Sequence, residues 1–289
     1  VANTVVCVFA DTPLIEDRSA GATFAQAMSL TGIPGFEEAY GLFGALAAYA
    51  LAARRHMHLY GTTHDQLGAI AVSNRQWASL NPDAVMRGPI SLEDHRSSRW
   101  VVEPFRLLDC APPANGAIAV IVTSTERARD LRQPPVYVLG MGQGHPGNPN
   151  RAPFEDEVNT GARLARETAF VMVGITVNDV DICEFYYPFT YATLVTLEDY
   201  GFCEKGEGGP FVEDGKLEPG GELPTNTGGG QLSGYYMQGM TPVSEAIIQA
   251  RGQAGERQVS KHDMILVTGS GGRLDYHSCL IFGPHPCAG

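Results

Sequence analysis

The chain has 289 residues, 44% hydrophobic and 18% charged, an ordinary globular composition with length for one large core or two smaller ones. Its formal net charge of −12 and pI near 5.1 lack the basic footprint that a nucleic-acid binder needs. No run of eighteen apolar residues is present to span a membrane, and the longest run, Leu42–Ala53, ends in Arg54-Arg55.

The chain opens on Val1–Phe9, a buried-strand pattern with no secretory signal and no initiating Met, so upstream residues are expected to be missing. Phe36–His58 carries an Ala/Leu-rich helical pattern, and Thr63–Ala78 with Asn81–Met86 reads as helix and loop. Ser91–Trp100 is a polar stretch holding Asp94 and His95 among arginines. Arg96 and Arg99 there could meet phosphates or simply form a solvated face. Helices without convincing strands over Ala20–Arg99 suggest an inserted domain. Gly116–Thr123 is a continuous apolar strand between Pro112-Pro113 and Thr125–Asp130, and Pro135–Gly140 starts another.

Val158–Val173 is helical with Gly174 as its stop. Val180–Phe185 is a strand, and Phe189–Tyr200 a helix entered at Pro188 and closed by Gly201. Gly206–Gly234 reads as a long Gly-rich loop. Pro242–Arg251 is a helix with Thr241 as N-cap and Gly252 as stop. Met264–Val267 and Ser278–Phe282 are strands joined across Thr268–His277. Strands alternating with helices mean α/β architecture, and the apolar strands read as buried on both faces. The late glycines, over Gly206–Gly234 and Gly269–Gly272, suggest backbone packed closely around a site. The six cysteines, Cys7, Cys110, Cys183, Cys203, Cys279 and Cys287, are scattered without a CxxC, the pattern of reduced cytosolic thiols and not of a disulfide framework or a zinc site. Cys110 and Cys279 are expected to be buried and inert, and Asn226 to hold a turn.

Five segments in order resemble the thiolase superfamily, in its sterol-carrier-type branch. They are Arg55–Thr63 followed by Asn81-Pro82, Leu108–Ala117, Asn178–Glu184, Leu223–Gly230 and Arg251–Val259. The resemblance implies the thiolase fold, two similar α/β halves stacked in five layers (αβαβα) with an inserted loop domain. Residues 1–130 would then be the remainder of the first half, with the loop domain near 20–100, and 131–289 the second half. The nucleophilic cysteine of that family would precede Val1, and Cys7 is not its counterpart.

A thiolase also needs a His, or a water held by Asn, at one strand-to-helix turn. It needs a second His in a Gly-His-Pro turn and a second Cys near the C-terminus. By resemblance these positions fall on Tyr186, on Tyr236 and near Thr268. All three are changed, and Gly144-His145-Pro146 lies at the wrong place in the order. A one-residue slip would put Tyr187 or Tyr235 in place of Tyr186 or Tyr236. His277 and Tyr276 lie near the C-terminal catalytic loop, where a structural or CoA-proximal role is the expectation.

A retro-aldol cleavage needs an acid and a base but no acyl-enzyme nucleophile. Both tyrosines precede helix starts, at Pro188 and Pro242, whose positive ends are expected to ease a phenol toward its anion from an ordinary pKa near ~10. Glycines such as Gly234 and Gly271 would let backbone N–H groups reach a thioester oxygen. The Tyr/Tyr pattern resembles the thiolase-like aldolases that shorten steroid side chains in actinobacteria. That resemblance implies a lyase splitting a 17-hydroxy steroid side-chain CoA thioester to a 17-ketosteroid and propionyl-CoA. It implies a homodimer core, a zinc-ribbon/OB-fold (DUF35-type) partner and CoA present only as part of the substrate; the residues themselves show no metal cluster, and the scattered thiols point to a cytoplasmic setting. Two other readings stand beside it. A thiolase-like acyltransferase would keep an upstream cysteine and a His, and a non-catalytic scaffold subunit would be indifferent to loss of either tyrosine.

Overall fold

A computed structural model of the chain describes residues 2–18, 32–42, 44–146, 158–272, 274 and 276–286. Strand β1 (Thr4–Asp11) is followed by helices α1 (Gly32–Ala39), α2 (Gly44–Tyr60), α3 (His64–Ser79) and α4 (Leu92–Ser97). A small hairpin, β2 (Trp100–Val102) and β3 (Phe105–Arg106), leads to β4 (Gly116–Thr123), α5 (Thr125–Arg129) and β5 (Tyr137–Gly144). The second part runs through α6 (Ala162–Val173), β6 (Ile182–Glu184), α7 (Thr190–Tyr200), α8 (Gly208–Glu213), α9 (Met240–Ala250), β7 (Ile265–Gly271) and β8 (Tyr276–Gly283).

The last four strands form one sheet in the order β5-β8-β7-β6, in which β6 and β7 are parallel and the other pairs antiparallel. Helices cover both faces. On one side Ala162, Ala165, Ala169 and Phe170 of α6 join Leu194 and Leu197 of α7 in the main core. On the other, Ala246 and Ala250 of α9 pack on Ile182, Ile265, Val267 and Phe282. The close approach of α6 has a local cause in β5. Its glycines recur with the strand period of two, at 140, 142 and 144, and a Cβ on any of them would overlap the backbone of α6 or of Gly161 before it.

Several expectations are corrected. β1 and β4 form as strands, but their apolar residues are not buried: Val8 is 63% and Ile121 61% exposed. The two strands pair only with each other, and among the described residues no layer covers their outer side chains. Hydrophobic patterning specifies what a strand can bury, whereas burial needs a facing layer. The Gly206–Gly234 region is not a plain loop. It contains α8 and ends in a single π-helical turn, Gly230–Gly234, entered through Gly229 and Gly230 at positive φ. Helix α9 begins two residues earlier than expected, so Thr241 is not its N-cap. The Thr241 hydroxyl lies within the first turn, where it accepts from Met237 N–H (2.9 Å) and donates to Tyr235 C=O (3.1 Å). Ser91–Trp100 contains α4, closed by a Ser91/Asp94 capping box. The stops at Gly174 and Gly201 are found, both left-handed.

Candidate active site

The site grows from the C-terminal end of β6. Two long-range hydrogen bonds hold the chain leaving that strand. Phe185 N–H donates to Asn226 Oδ1 (2.7 Å), while Asn226, itself at φ 56°, donates its N–H to Cys183 C=O (2.8 Å). Asn226 therefore does hold a turn, and that turn clamps β6. Tyr186 N–H then meets Thr268 of β7, at both its hydroxyl and its carbonyl oxygen (3.2 Å each). Thr268 thus holds the backbone of Tyr186.

The second half of the site is the π-turn and the segment leading to α9. Gln231, fully buried within that turn, buckles the two parts together. Its Oε1 accepts from Tyr187 N–H (2.7 Å) and its Nε2 donates to Gln238 C=O (2.7 Å). Tyr236 and Tyr186, fifty residues apart, are brought hydroxyl to hydroxyl at 2.9 Å. Gln238 Oε1 lies 2.9 Å from the Tyr186 hydroxyl and 3.3 Å from that of Tyr236.

The expected easing toward phenolate is not found. Burial is the largest influence on Tyr186 and pushes its pKa far above the ordinary phenol value, and the neighbouring Tyr236 adds to this. Tyr236 is also raised, by burial first, although hydrogen bonds with Tyr186 and Gln238 work the other way. Desolvation outweighs any help from the helix ends, so both phenols are held neutral.

The remaining expected residues separate cleanly. Tyr187 is fully buried and faces away from the pair, its hydroxyl donating to Asn74 Oδ1 of α3. Tyr235 shares a hydrogen bond with Ser244 (3.0 Å). His277 is buried on β8, 3.2 Å from the Tyr200 hydroxyl, and burial lowers its pKa to about 3. Tyr276 is half exposed with its ring against His145. Gly234 does not offer a free N–H, because it donates to Gly229 C=O (3.0 Å). Gly271 sits at the end of β7 opposite Tyr276, and with Ser270, His277 and His145 it lines a cleft of about 260 Å³. Arg96 is engaged by Asp65 (2.7 Å) and Glu93, while Arg99 is exposed.

The cysteines are poor thiolates where burial acts. Cys110 and Cys279 are pushed up to about 12, and Cys183 well above its ordinary value. Cys110 is only partly buried, Cys7 is exposed, and Cys287 lies outside the described residues. Among the described residues no group of three His, Cys, Asp or Glu is arranged to hold a metal, and no helix is long and apolar enough to cross a membrane.

Two features of the site lay beyond sequence reasoning. One is the Gln231/Gln238 pair. The other is a buried carboxylate cluster under the β6 turn, where Glu184 and Glu245 share the Thr227 hydroxyl and Arg257 grips Glu245 through two nitrogens. Burial and the charge of Glu245 push Glu184 well above the usual carboxylate range. The one signal in the sequence for the first was Gln238 itself, a polar residue between Met237 and Gly239 beside the second tyrosine.

Comparison with known proteins bears on this arrangement. Residues 148–284 match the family described as Thiolase C-terminal domain-like. The chain is 40% identical over 244 residues to the 17-hydroxy-3-oxo-4-pregnene-20-carboxyl-CoA lyase of Mycobacterium tuberculosis, covering 82% of this chain and 62% of that protein. It is 40% identical over 228 residues to the steroid side-chain-cleaving aldolase of Thermomonospora curvata, covering 77% and 58%. The solved Ltp2-ChsH2(DUF35) aldolase superposes with a TM-score of 0.85 at 36% identity, covering 97% of this chain and 72% of that one. The chain therefore spans less than two thirds of the length of the two curated relatives.

Proposed function

The chain belongs to the thiolase-like proteins, and from that membership we propose that the protein carrying it is a carbon–carbon lyase, a retro-aldolase acting on a β-hydroxyacyl-CoA. The observation that carries the reading is the hydroxyl-to-hydroxyl pairing of Tyr186 and Tyr236 at 2.9 Å, at the positions that by resemblance hold a thiolase's His or Asn and its second His. Two phenols in contact suit a reaction that removes one proton and returns one. The alcohol proton leaves to the pair as the Cα–Cβ bond breaks, and the alcohol carbon becomes a ketone. The bond's electrons become a thioester enolate, whose carbon then takes a proton from the pair, and both tyrosines end neutral. The raised pKa values of the buried phenols support proton transfer through neutral groups over a standing phenolate.

The substrate is a 17-hydroxy steroid side-chain CoA thioester, and the products are a 17-ketosteroid and propionyl-CoA. This rests on the names of the lyase and aldolase relatives. A DUF35-type partner joins a homodimer core, a reading supported by the solved relative, an Ltp2-ChsH2(DUF35) aldolase. The protein acts in the cytoplasm without metal or organic cofactor. Residues 131–289 form its second thiolase half, and 1–130 the remainder of the first.

The test is a product assay. The full-length protein is co-expressed with its DUF35-type partner and incubated with the 17-hydroxysteroid CoA thioester. Mass spectrometry is expected to find propionyl-CoA and the 17-ketosteroid, and neither product with Tyr236→Phe. Exchange of acyl groups between acetyl-CoA and CoA, without those products, would establish an acyltransferase instead. Cleavage that survives loss of both phenols would leave the chain a scaffold.

A further inference from the structure

Near the end of the β7–β8 ladder, Ser270 pairs directly with His277. Such partners project to the same face of the sheet, with Cβ atoms about 4.5–5.5 Å apart. They do not satisfy each other. Ser270 Oγ and His277 Nδ1 are both buried, and among the described residues neither has a hydrogen-bond partner. His277 is only 3% exposed, and its other ring nitrogen, Nε2, lies 3.2 Å from the Tyr200 hydroxyl. Both residues line the cleft of about 260 Å³, with Gln143, His145, Tyr276 and Ser278. Buried polar atoms in folded proteins are hydrogen-bonded, so two unpaired ones at a single cleft call for a third group between them.

The lining says what kind of group fits. No Lys, Arg, Asp or Glu of the described residues lines the cleft. Burial lowers the His277 pKa to about 3, so its ring is neutral near pH 7. An ion entering the cleft would lose its water without meeting a fixed countercharge. A hydroxyl both donates and accepts, whereas a neutral imidazole nitrogen does one or the other according to tautomer. If Tyr200 donates to Nε2, then Nδ1 carries the proton and the cleft offers two donors. If Nε2 donates to Tyr200, then Nδ1 accepts and Ser270 remains the donor. A carbonyl oxygen is served in both cases, twice in the first, and the second adds an acceptor for an amide N–H. The cleft also adjoins the tyrosine site. Thr268 of β7 receives the Tyr186 N–H, and Ser270 is the next residue on that face, about 7 Å farther along the strand.

We propose that this cleft binds a neutral carbonyl group of the acyl-CoA substrate that lies away from the reacting bond, with Ser270 as its donor and His277 beside it. This rests on the retro-aldol reading. Two parts of the substrate carry that chemistry, a ketone on the steroid rings and the amides of the pantetheine arm.

Steady-state kinetics of the full-length protein with its DUF35-type partner test this, comparing wild type with Ser270→Ala. Three thioesters are used: the ring-ketone steroid CoA thioester, its analogue without the ring ketone, and the ring-ketone acyl group on a plain alkyl thiol, which lacks the pantetheine amides. With the first, Ser270→Ala is expected to raise KM about threefold to tenfold, the worth of one neutral hydrogen bond, with kcat within about twofold. The substrate that lacks the bound carbonyl should be indifferent to the substitution. Indifference of the ring-deoxygenated analogue assigns the steroid ketone, and indifference of the alkyl thioester assigns the pantetheine arm. An equal rise in KM for all three, or no rise at all, overturns the proposal, and a cleft that holds only water gives that result. Thermal melts without substrate are a second readout. Removing a hydroxyl that has no partner in the fold should leave Tm unchanged or raise it, and a fall would show that Ser270 is already satisfied and overturn the site. A wild type that releases no ketosteroid refutes the retro-aldol reading separately, and calorimetric Kd values for the same thioesters then decide the site by the same comparison.

Discussion

Replacing Tyr236 by Phe removes one hydroxyl from a hydrogen-bonded triangle, and the structure says what is left behind. Tyr186 still donates to Gln238 at 2.9 Å, so no buried polar atom loses its last partner. The fold should shift by less than about 0.5 kcal/mol. Turnover should behave differently. A positioned proton-transfer group contributes about 10²–10⁴-fold, and each tenfold is about 1.36 kcal/mol of barrier, so the loss should be about 3–5 kcal/mol in activation free energy. The neighbouring Tyr187→Phe should give the reverse. Its hydroxyl is fully buried and donates to Asn74 Oδ1, which would be left without that donor. An unmade buried hydrogen bond costs about 1–3 kcal/mol of stability, or roughly 2–4 °C of Tm per kcal/mol for a large domain, with kcat kept within a few-fold. The assays are product formation by mass spectrometry and thermal unfolding of both variants. Full turnover in Tyr236→Phe would refute the reasoning. Loss of turnover in Tyr187→Phe at unchanged stability would move the chemistry one residue along the turn.

Three more outcomes follow from the packing and the charges. Gly142→Ala places a methyl group on the Ala165 carbonyl of α6 and should cost at least about 3 kcal/mol in denaturant unfolding, since overpacking between two rigid backbones is hard to relax. Arg257→Met leaves Glu184 and Glu245 buried without their cation, so stability should fall by about 3–5 kcal/mol at pH 7, and part of the loss should return as the pH is lowered and Glu184, already held well above the usual carboxylate range, takes up a proton. Buried His277 ionises near pH 3 in the fold but near ~6.5 in the unfolded chain. Its folded pKa is the lower one, so the unfolded state takes the proton first as pH falls. Stability from this group is intact above about pH 6.5 and is lost progressively toward pH 3, the loss reaching about 2 kcal/mol at pH 5. Comparing wild type with His277→Gln by urea unfolding at pH 7 and pH 5 checks it, and the variant should lose that part of the pH dependence.

Where chain geometry alone dictates structure, the sequence was legible. Pro188 and Gly201 bracket α7 as read, Gly174 ends α6, and the apolar runs over 116–123 and 265–267 are strands. The two tyrosines were also legible as site candidates, because their positions in an ordered set of motifs are a property of the sequence. Burial was less so: β1 and β4 carry the same apolar pattern as β7, yet β7 is covered and they are not.

What the sequence alone determined is the order of elements, their α/β type and the residue types present at the site, since these depend on neighbours a few positions away. The tertiary structure decided the rest. Tyr186 reaches Tyr236 across fifty residues, Phe185 reaches Asn226 across forty-one, and Tyr186 reaches Thr268 across eighty-two. Only when those segments are brought together does burial hold the phenols neutral and leave Gln238 as the acceptor between them. Desolvation and hydrogen-bond direction are set by what surrounds a group in space, and no local pattern along the chain encodes that surrounding.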